Sequence, residues 1–225
     1  MSLEGAVVSL GATGVSLVFA VLVLNQWLSR RKPFQLAWSV GLGMYAVAAA
    51  TQFFAEAYAW TPEIYRVYYL VAAPLVAVLG AGSVFLLSRR AGYLFVLYTA
   101  ILFVGFAWLV FTAPVNTEAL AQPVPAGEGF APNVRIWSPL FTVPGSVALV
   151  GIAAYSFWKT RMRFSAWIAI GALVVAAGGL LSHLRIPWAL YLGEFVGIAV
   201  MFWGFLGSVE LAKAVRSSPK PTVSP

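Results

Sequence analysis

The chain has 225 residues, of which 61% are apolar and only 9% charged, with a mean hydropathy of +0.88. A soluble domain carries about a quarter charged residues, so the composition excludes a soluble enzyme or binding module and indicates a polytopic membrane protein. The absence of cysteine excludes disulfides and thiolate metal or redox sites, and the net charge of +7, gathered in short clusters between apolar runs, reads as stop-transfer signals and not as a nucleic-acid footprint.

A membrane span needs about 20 apolar residues, and seven segments qualify in chain order. The first, 5–28, has no basic residue ahead of it and a basic cluster behind it, which reads as a retained span and not a cleaved signal peptide. "SRRKP" leads to 34–58, "AWTPE" to 65–87 and "SRRAG" to 91–113. A stretch rich in proline, alanine and glutamate, 114–137, precedes spans 138–157, 164–184 and 187–210, which are divided by "KTRMR" and "LRIP". The expected organisation is a transmembrane domain over 1–211 and a polar, disordered cytoplasmic tail over 212–225, whose basic residues suit anionic head groups.

Orientation follows from the basic residues. Arg30, Arg31, Lys32, Arg89, Arg90, Lys159, Arg161, Arg163, Lys213, Arg216 and Lys220 all fall on one side, and only Arg66, Arg135 and Arg185 on the other. The richer side belongs in the cytoplasm, so the N-terminus is expected outside and the C-terminus inside. A bacterial cytoplasmic membrane is the expected location.

An internal repeat is visible. "GVSLVFAVLVLNQWLSRRKPFQLAWSVG" from Gly14 parallels "GSVALVGIAAYSFWKTRMRFSAWIAIG" from Gly145, pairing Trp27 with Trp158, Phe34 with Phe164, Trp38 with Trp167 and Gly41 with Gly171. "GSVFL" at Gly82 likewise matches "GSVEL" at Gly207. Repeat one covers about 5–87 and repeat two about 138–210, joined by a linker helix, 91–113, and the external loop 114–137. Both copies start outside, so they are parallel, a plan that places ligands at the repeat interface.

This three-plus-one-plus-three plan resembles the sweet-type sugar carriers and the microbial rhodopsins in architecture, and the chain is similar to uncharacterised seven-helix proteins of bacteria. The motifs of the first two are missing. The last span, "WALYLGEFVGIAVMFWGFLGSV", lacks a Schiff-base lysine, so no retinal or other cofactor is expected, and there is no proline tetrad.

Ionisable groups within spans are costly, about 2.5–3.5 kcal/mol at mid-bilayer. At an offset of 125, Arg66 corresponds to Tyr191 and Tyr69 to Glu194, so each third helix carries a polar pair at i, i+3. The expected ligand site is therefore Arg66, Tyr69, Tyr191 and Glu194 in one outward cavity, with Arg66 and Glu194 as an ion pair and Gln52 alongside. Glu56, His183 and Arg185 form its mouth, Glu56 pairing with Arg185, and Pro74 is a candidate hinge. Structural pairing without a ligand explains the same charges equally simply. One histidine and no aspartate complete neither a metal site nor a catalytic constellation. The expected function is binding or transport of a small molecule or ion, not enzymatic. A sensor module, or an accessory subunit with a membrane-protein partner or a second copy of itself, is the alternative.

Overall fold

The computed structural model describes residues 3–122, 127–161, 163–183 and 188–217, with side chains described at all of these except 160, 163–165, 182, 183 and 208–217. The long helices are α1 (Leu3–Arg30), α2 (Pro33–Ala57), α3 (Pro62–Leu87), α4 (Arg89–Thr112), α6 (Trp137–Thr160), α7 (Arg163–His183) and α8 (Trp188–Ser217), with α5 (Pro132–Arg135) a single short turn. No strand occurs among the described residues. Six helices are long and apolar enough to cross a membrane, and the apolar part of α7 runs from Ala166 to Leu181. These are the features of a helical integral membrane protein.

Local sequence sets the helix ends. Proline occupies the first turn of α2 and of α3, where its missing N–H is not needed. Thr61 caps α3 by accepting from Ile64 N at 3.3 Å, and Ser88 caps α4 by accepting from Ala91 N at 3.4 Å. At its far end α8 continues to Ser217, past the expected boundary at 210, because "ELAKAVR" is built of good helix formers; residues 218–225 of the expected tail lie outside the described residues.

Six helices close into a ring: α1 packs on α2, α2 on α3, α3 on α6, α6 on α7, α7 on α8, and α8 back on α1. α4 stands outside it, against α3, and exposes Leu94, Ile101, Val104 and Trp108 along its outer face. Two ring contacts depend on glycine. A Cβ at Gly80 would lie 2.7 Å from the carbonyl oxygen of Gly145, and one at Gly145 2.6 Å from the backbone N of Ala77, so α3 and α6 touch main chain to main chain. Similarly, Gly178 and Gly193 bring α7 and α8 together.

Halfway along the ring an apolar layer fills the interior. Phe19, Leu42, Leu79, Leu149, Ile168 and Met201, one from each ring helix, meet with Trp38 around a residual void of about 20 Å³. Toward the end that carries the arginine clusters the ring encloses about 390 Å³, lined from all six helices. Toward the opposite end lies a second chamber of about 340 Å³, between α3, α6, α7, α8 and the segment before α6.

That segment, expected as an external loop over 114–137, is folded where described. A 3-10 turn at Ala119–Ala121 and the α5 turn give it shape, and Leu120, Phe130 and Val134 are buried in the main core.

The close α3–α6 approach yields a first prediction. Gly145→Val should lower the thermal unfolding midpoint of the purified protein by the equivalent of about 1–3 kcal/mol, because backbone cannot yield to a new Cβ. Gly151→Ala, with nothing within 4 Å of the added carbon, should leave the midpoint unchanged or raise it.

Candidate functional site

Polar side chains inside an apolar ring must be satisfied within the protein, since lipid offers neither donors nor acceptors. At the end opposite the arginine clusters, α2, α3 and α8 supply such groups to one another. Tyr45, Gln52 and Glu56 follow the helical repeat along one face of α2 and are 5%, 1% and 6% exposed. All three reach α8. The Tyr45 hydroxyl donates to the main-chain carbonyl of Glu194 at 2.9 Å, and Gln52 Nε2 donates to Glu194 Oε1 at 3.2 Å. The Tyr191 hydroxyl donates to Glu56 Oε1. Gln52 Nε2 also lies 3.5 Å from the hydroxyl of Tyr68 on α3, so one amide joins three helices. Its Oε1 is buried with no hydrogen-bond partner in the protein.

The structure divides the residues expected to converge. Gln52 and Glu194 meet directly, and Tyr191 joins them from the same turn of α8. Arg66 does not. Its guanidinium donates to the carbonyl of Val110 and, at 2.7 Å, to that of Ala113, with its carbon 5.9 Å from the Phe130 ring. The last carbonyls of a helix lack intrahelical donors and carry partial negative charge. Because α4 lies beside α3, its C-terminus is the nearer acceptor. The expected Arg66–Glu194 ion pair is therefore not formed, and Glu194 is held by a neutral amide.

Tyr69 also leaves the expected cluster. It stacks on Tyr65 at 5.9 Å and packs against Phe106 and Phe130 at 5.6 and 5.2 Å. With Tyr68, Arg135, Ser138 and Thr142 it lines the 340 Å³ chamber. Tyr68 thus belongs to both the hydrogen-bonded network and the chamber wall. The segment before α6 covers this aromatic end of α3: Gly129 N donates to the Tyr65 hydroxyl at 3.2 Å, and Phe130 lies 5.2 Å from the Tyr65 ring.

Glu56, expected at the mouth, is instead a buried member of the network. Arg185 lies outside the described residues, and with it the expected Glu56–Arg185 pair; His183 ends α7, with its side chain also outside them. Among the described residues no group of three or more His, Asp or Glu side chains could hold a metal ion. Three participants escaped the sequence reading. Tyr45 had a signal, since it continues the face of Gln52 and Glu56. Tyr68 stands beside Tyr69, the residue that the repeat offset aligns with Glu194. Arg135 had none, because its place depends on the fold of an irregular segment.

No family model, no curated protein and no solved structure matches the chain. What the site can do is therefore argued from its chemistry. Two carboxylates, three phenols and an amide with an unused carbonyl oxygen form one buried network, which meets the 340 Å³ chamber through Tyr68.

Separating Arg66 from Glu194 has a measurable consequence. Arg66→Met should destabilise the protein by about 1–3 kcal/mol through the orphaned α4 carbonyls, and Glu194→Met added to it should not restore stability. A double-mutant cycle on thermal unfolding should give a coupling near zero; a large favourable coupling would reinstate the ion pair.

Proposed function

We propose that this chain is a carrier, set in a bacterial cytoplasmic membrane with its N-terminus outside, that moves a small polar solute or ion across the bilayer. One arrangement carries the reading: a chamber at each end of the ring, with an apolar layer between them to which every ring helix contributes. A purely structural bundle has no need of two chambers in register with a central seal. The outer chamber, lined by Tyr68, Tyr69, Arg135, Ser138 and Thr142, is the outer binding site, backed through Tyr68 by the network of Gln52, Glu56, Tyr191 and Glu194, and the layer around Phe19, Leu42 and Met201 is the gate.

The prolines favour movement at that gate. Pro74 is buried in α3 between the chamber residues Tyr68 and Tyr69 and the gate residue Leu79. Pro144 stands in the same relation in α6, between Thr142 and Leu149. Each deletes an i to i−4 hydrogen bond, so the two adjacent helices can bend just outside the seal.

A parallel repeat of three helices fits the same scheme. Arg31 and Arg161 end the first helix of each copy in the left-handed conformation, with φ of 52° and 54°. Each donates its N–H four residues back, to Trp27 and Phe157 respectively. Contacts between α1 and α8 run in parallel, from Gly11 against Phe195 to Phe19 against Phe202 and Phe205. Exchanging the two copies turns this interface into that of α3 with α6. Rocking of one copy against the other would then open the chambers in turn.

Sided labelling tests the reading, and the chain's lack of cysteine makes it clean. In sealed vesicles, a membrane-impermeant maleimide should modify Thr142→Cys from the outer face only and Ser156→Cys from the inner face only, while Leu42→Cys resists from both. Shaving the seal with Phe19→Ala and Leu79→Ala should raise leakage of small osmolytes from proteoliposomes above the wild-type level. If neither chamber cysteine is reached from its face, there is no access path and the carrier reading fails.

A further inference from the structure

Because α4 packs on α3 and stands outside the ring, a groove of about 710 Å³ runs between α2 and α4 with α3 as its floor. Its floor residues are buried or half-buried, as at Pro74, Val78 and Ala81, whereas Leu36 and Val40 on the α2 wall and Val96 on the α4 wall are exposed. On α2 the groove extends from Pro33 to Met44 and on α4 from Arg89 to Phe103, roughly 16 and 21 Å at 1.5 Å per residue. The hydrocarbon of one leaflet is about 15 Å deep, half of the bilayer core. The groove therefore begins at the arginine-rich end and follows a single leaflet inward. Spread over that length its volume gives a mean width of about 6 Å, too narrow to seat another helix, which is about 10 Å across.

The lining gives each part of the groove its chemistry. Arg31 and Arg89, both exposed, stand at the arginine-rich end. The Arg31 guanidinium carbon lies 4.7 Å over the ring of Trp27, which lines the same space, and stacking on a ring face leaves the N–H edge free to donate. Arg89 opens α4, whose N-terminal end adds partial positive charge. Deeper in, the walls are apolar, and the hydroxyl of Thr99 turns back to donate to the carbonyl of Phe95 at 2.9 Å. An apolar groove gains dispersion contacts along its length only when hydrocarbon lies in it, and basic pockets between spans hold anionic head groups. We propose that this groove binds one anionic phospholipid from the leaflet at the arginine-rich end. Its phosphate faces Arg31 and Arg89, and its acyl chains lie along α3 to the level of Met44 and Phe103. The site is separate from both chambers and does not rest on the carrier reading.

Native mass spectrometry and thermal unfolding of the full chain in detergent provide the test, with dioleoyl phosphatidylglycerol and dioleoyl phosphatidylcholine, which share acyl chains and differ in net charge. Phosphatidylglycerol should be retained at one molecule per chain, about tenfold more tightly than phosphatidylcholine, the scale of two arginines beside a head group. It should also raise the unfolding midpoint. Arg31→Gln combined with Arg89→Gln should abolish the preference. Lys32→Gln combined with Arg90→Gln removes the same charge at neighbouring positions that do not line the groove, and should preserve it. Ala100→Trp, which fills the groove from its α4 wall, should weaken both lipids alike without lowering the midpoint of the lipid-free protein; Val96→Phe on the same wall takes its place if that midpoint falls. No retained lipid, equal affinity for the two lipids, a preference lost equally in both charge-removing pairs, or displacement of phosphatidylglycerol by inorganic phosphate each overturns the proposal. A dimer in place of a lipid-bound monomer also overturns it, and assigns the groove to a second copy of the chain.

Discussion

A carboxylate inside an apolar bundle must be met by donors that the protein itself supplies, and Glu194 is met from a helix far away in sequence. Tyr45 and Gln52 on α2 hold one turn of α8 by its main-chain carbonyl and its side chain, and Tyr191 returns a bond to Glu56. These bonds tie the first three helices to the last three across the interior of the ring. Apolar contact between helices is only weakly directional in lipid, where hydrocarbon surrounds every alternative packing equally well. Hydrogen bonds of fixed partner and geometry are what make one arrangement of α2 and α8 preferable to its neighbours.

With those helices fixed, the character of the interior changes along its length. The network and the chamber beside it occupy one end, large apolar side chains fill the middle, and a second chamber, lined in part by Gln35 and Trp38 of α2, occupies the other end. α2 thereby contributes to every level, through Gln52 and Glu56, then Leu42, then Gln35 and Trp38. The glycine contact between α3 and α6 lies close to the level of this apolar layer, where the two main chains touch directly. Pro74, buried in α3, and Pro144, half-buried in α6, adjoin it on one side only.

The helices and the class of the protein were legible in the sequence because long apolar runs separated by basic clusters and prolines have few other interpretations in physical terms. Gln52, Tyr191 and Glu194 were legible as costly polar groups in need of partners. Their partners were less so, for two reasons. Arg66 had two classes of acceptor within reach, a carboxylate and the end of a helix, and only the position of α4 decides between them. A repeat offset of 125 aligns Tyr69 with Glu194, whereas an offset of 126 aligns Tyr68 with it. A single residue turns a helix face by about 100°, enough to move a phenol from the network to the chamber wall. The tryptophans matched in sequence carry the same lesson: Trp38 lines the interior while Trp167 is 43% exposed, so likeness in sequence does not fix a residue's role within the helical frame.

Gly82 shows how narrowly that frame is set. Its missing methyl group is the seat of the Trp38 indole, and the indole in turn forms part of both the seal and the wall of the chamber beneath it. Any larger residue at 82 displaces the ring either upward, tightening the constriction, or downward, shrinking the compartment. One position that lines neither space therefore sets the dimensions of both. Variation there would trade the tightness of the constriction against the volume of the compartment without altering a single polar group.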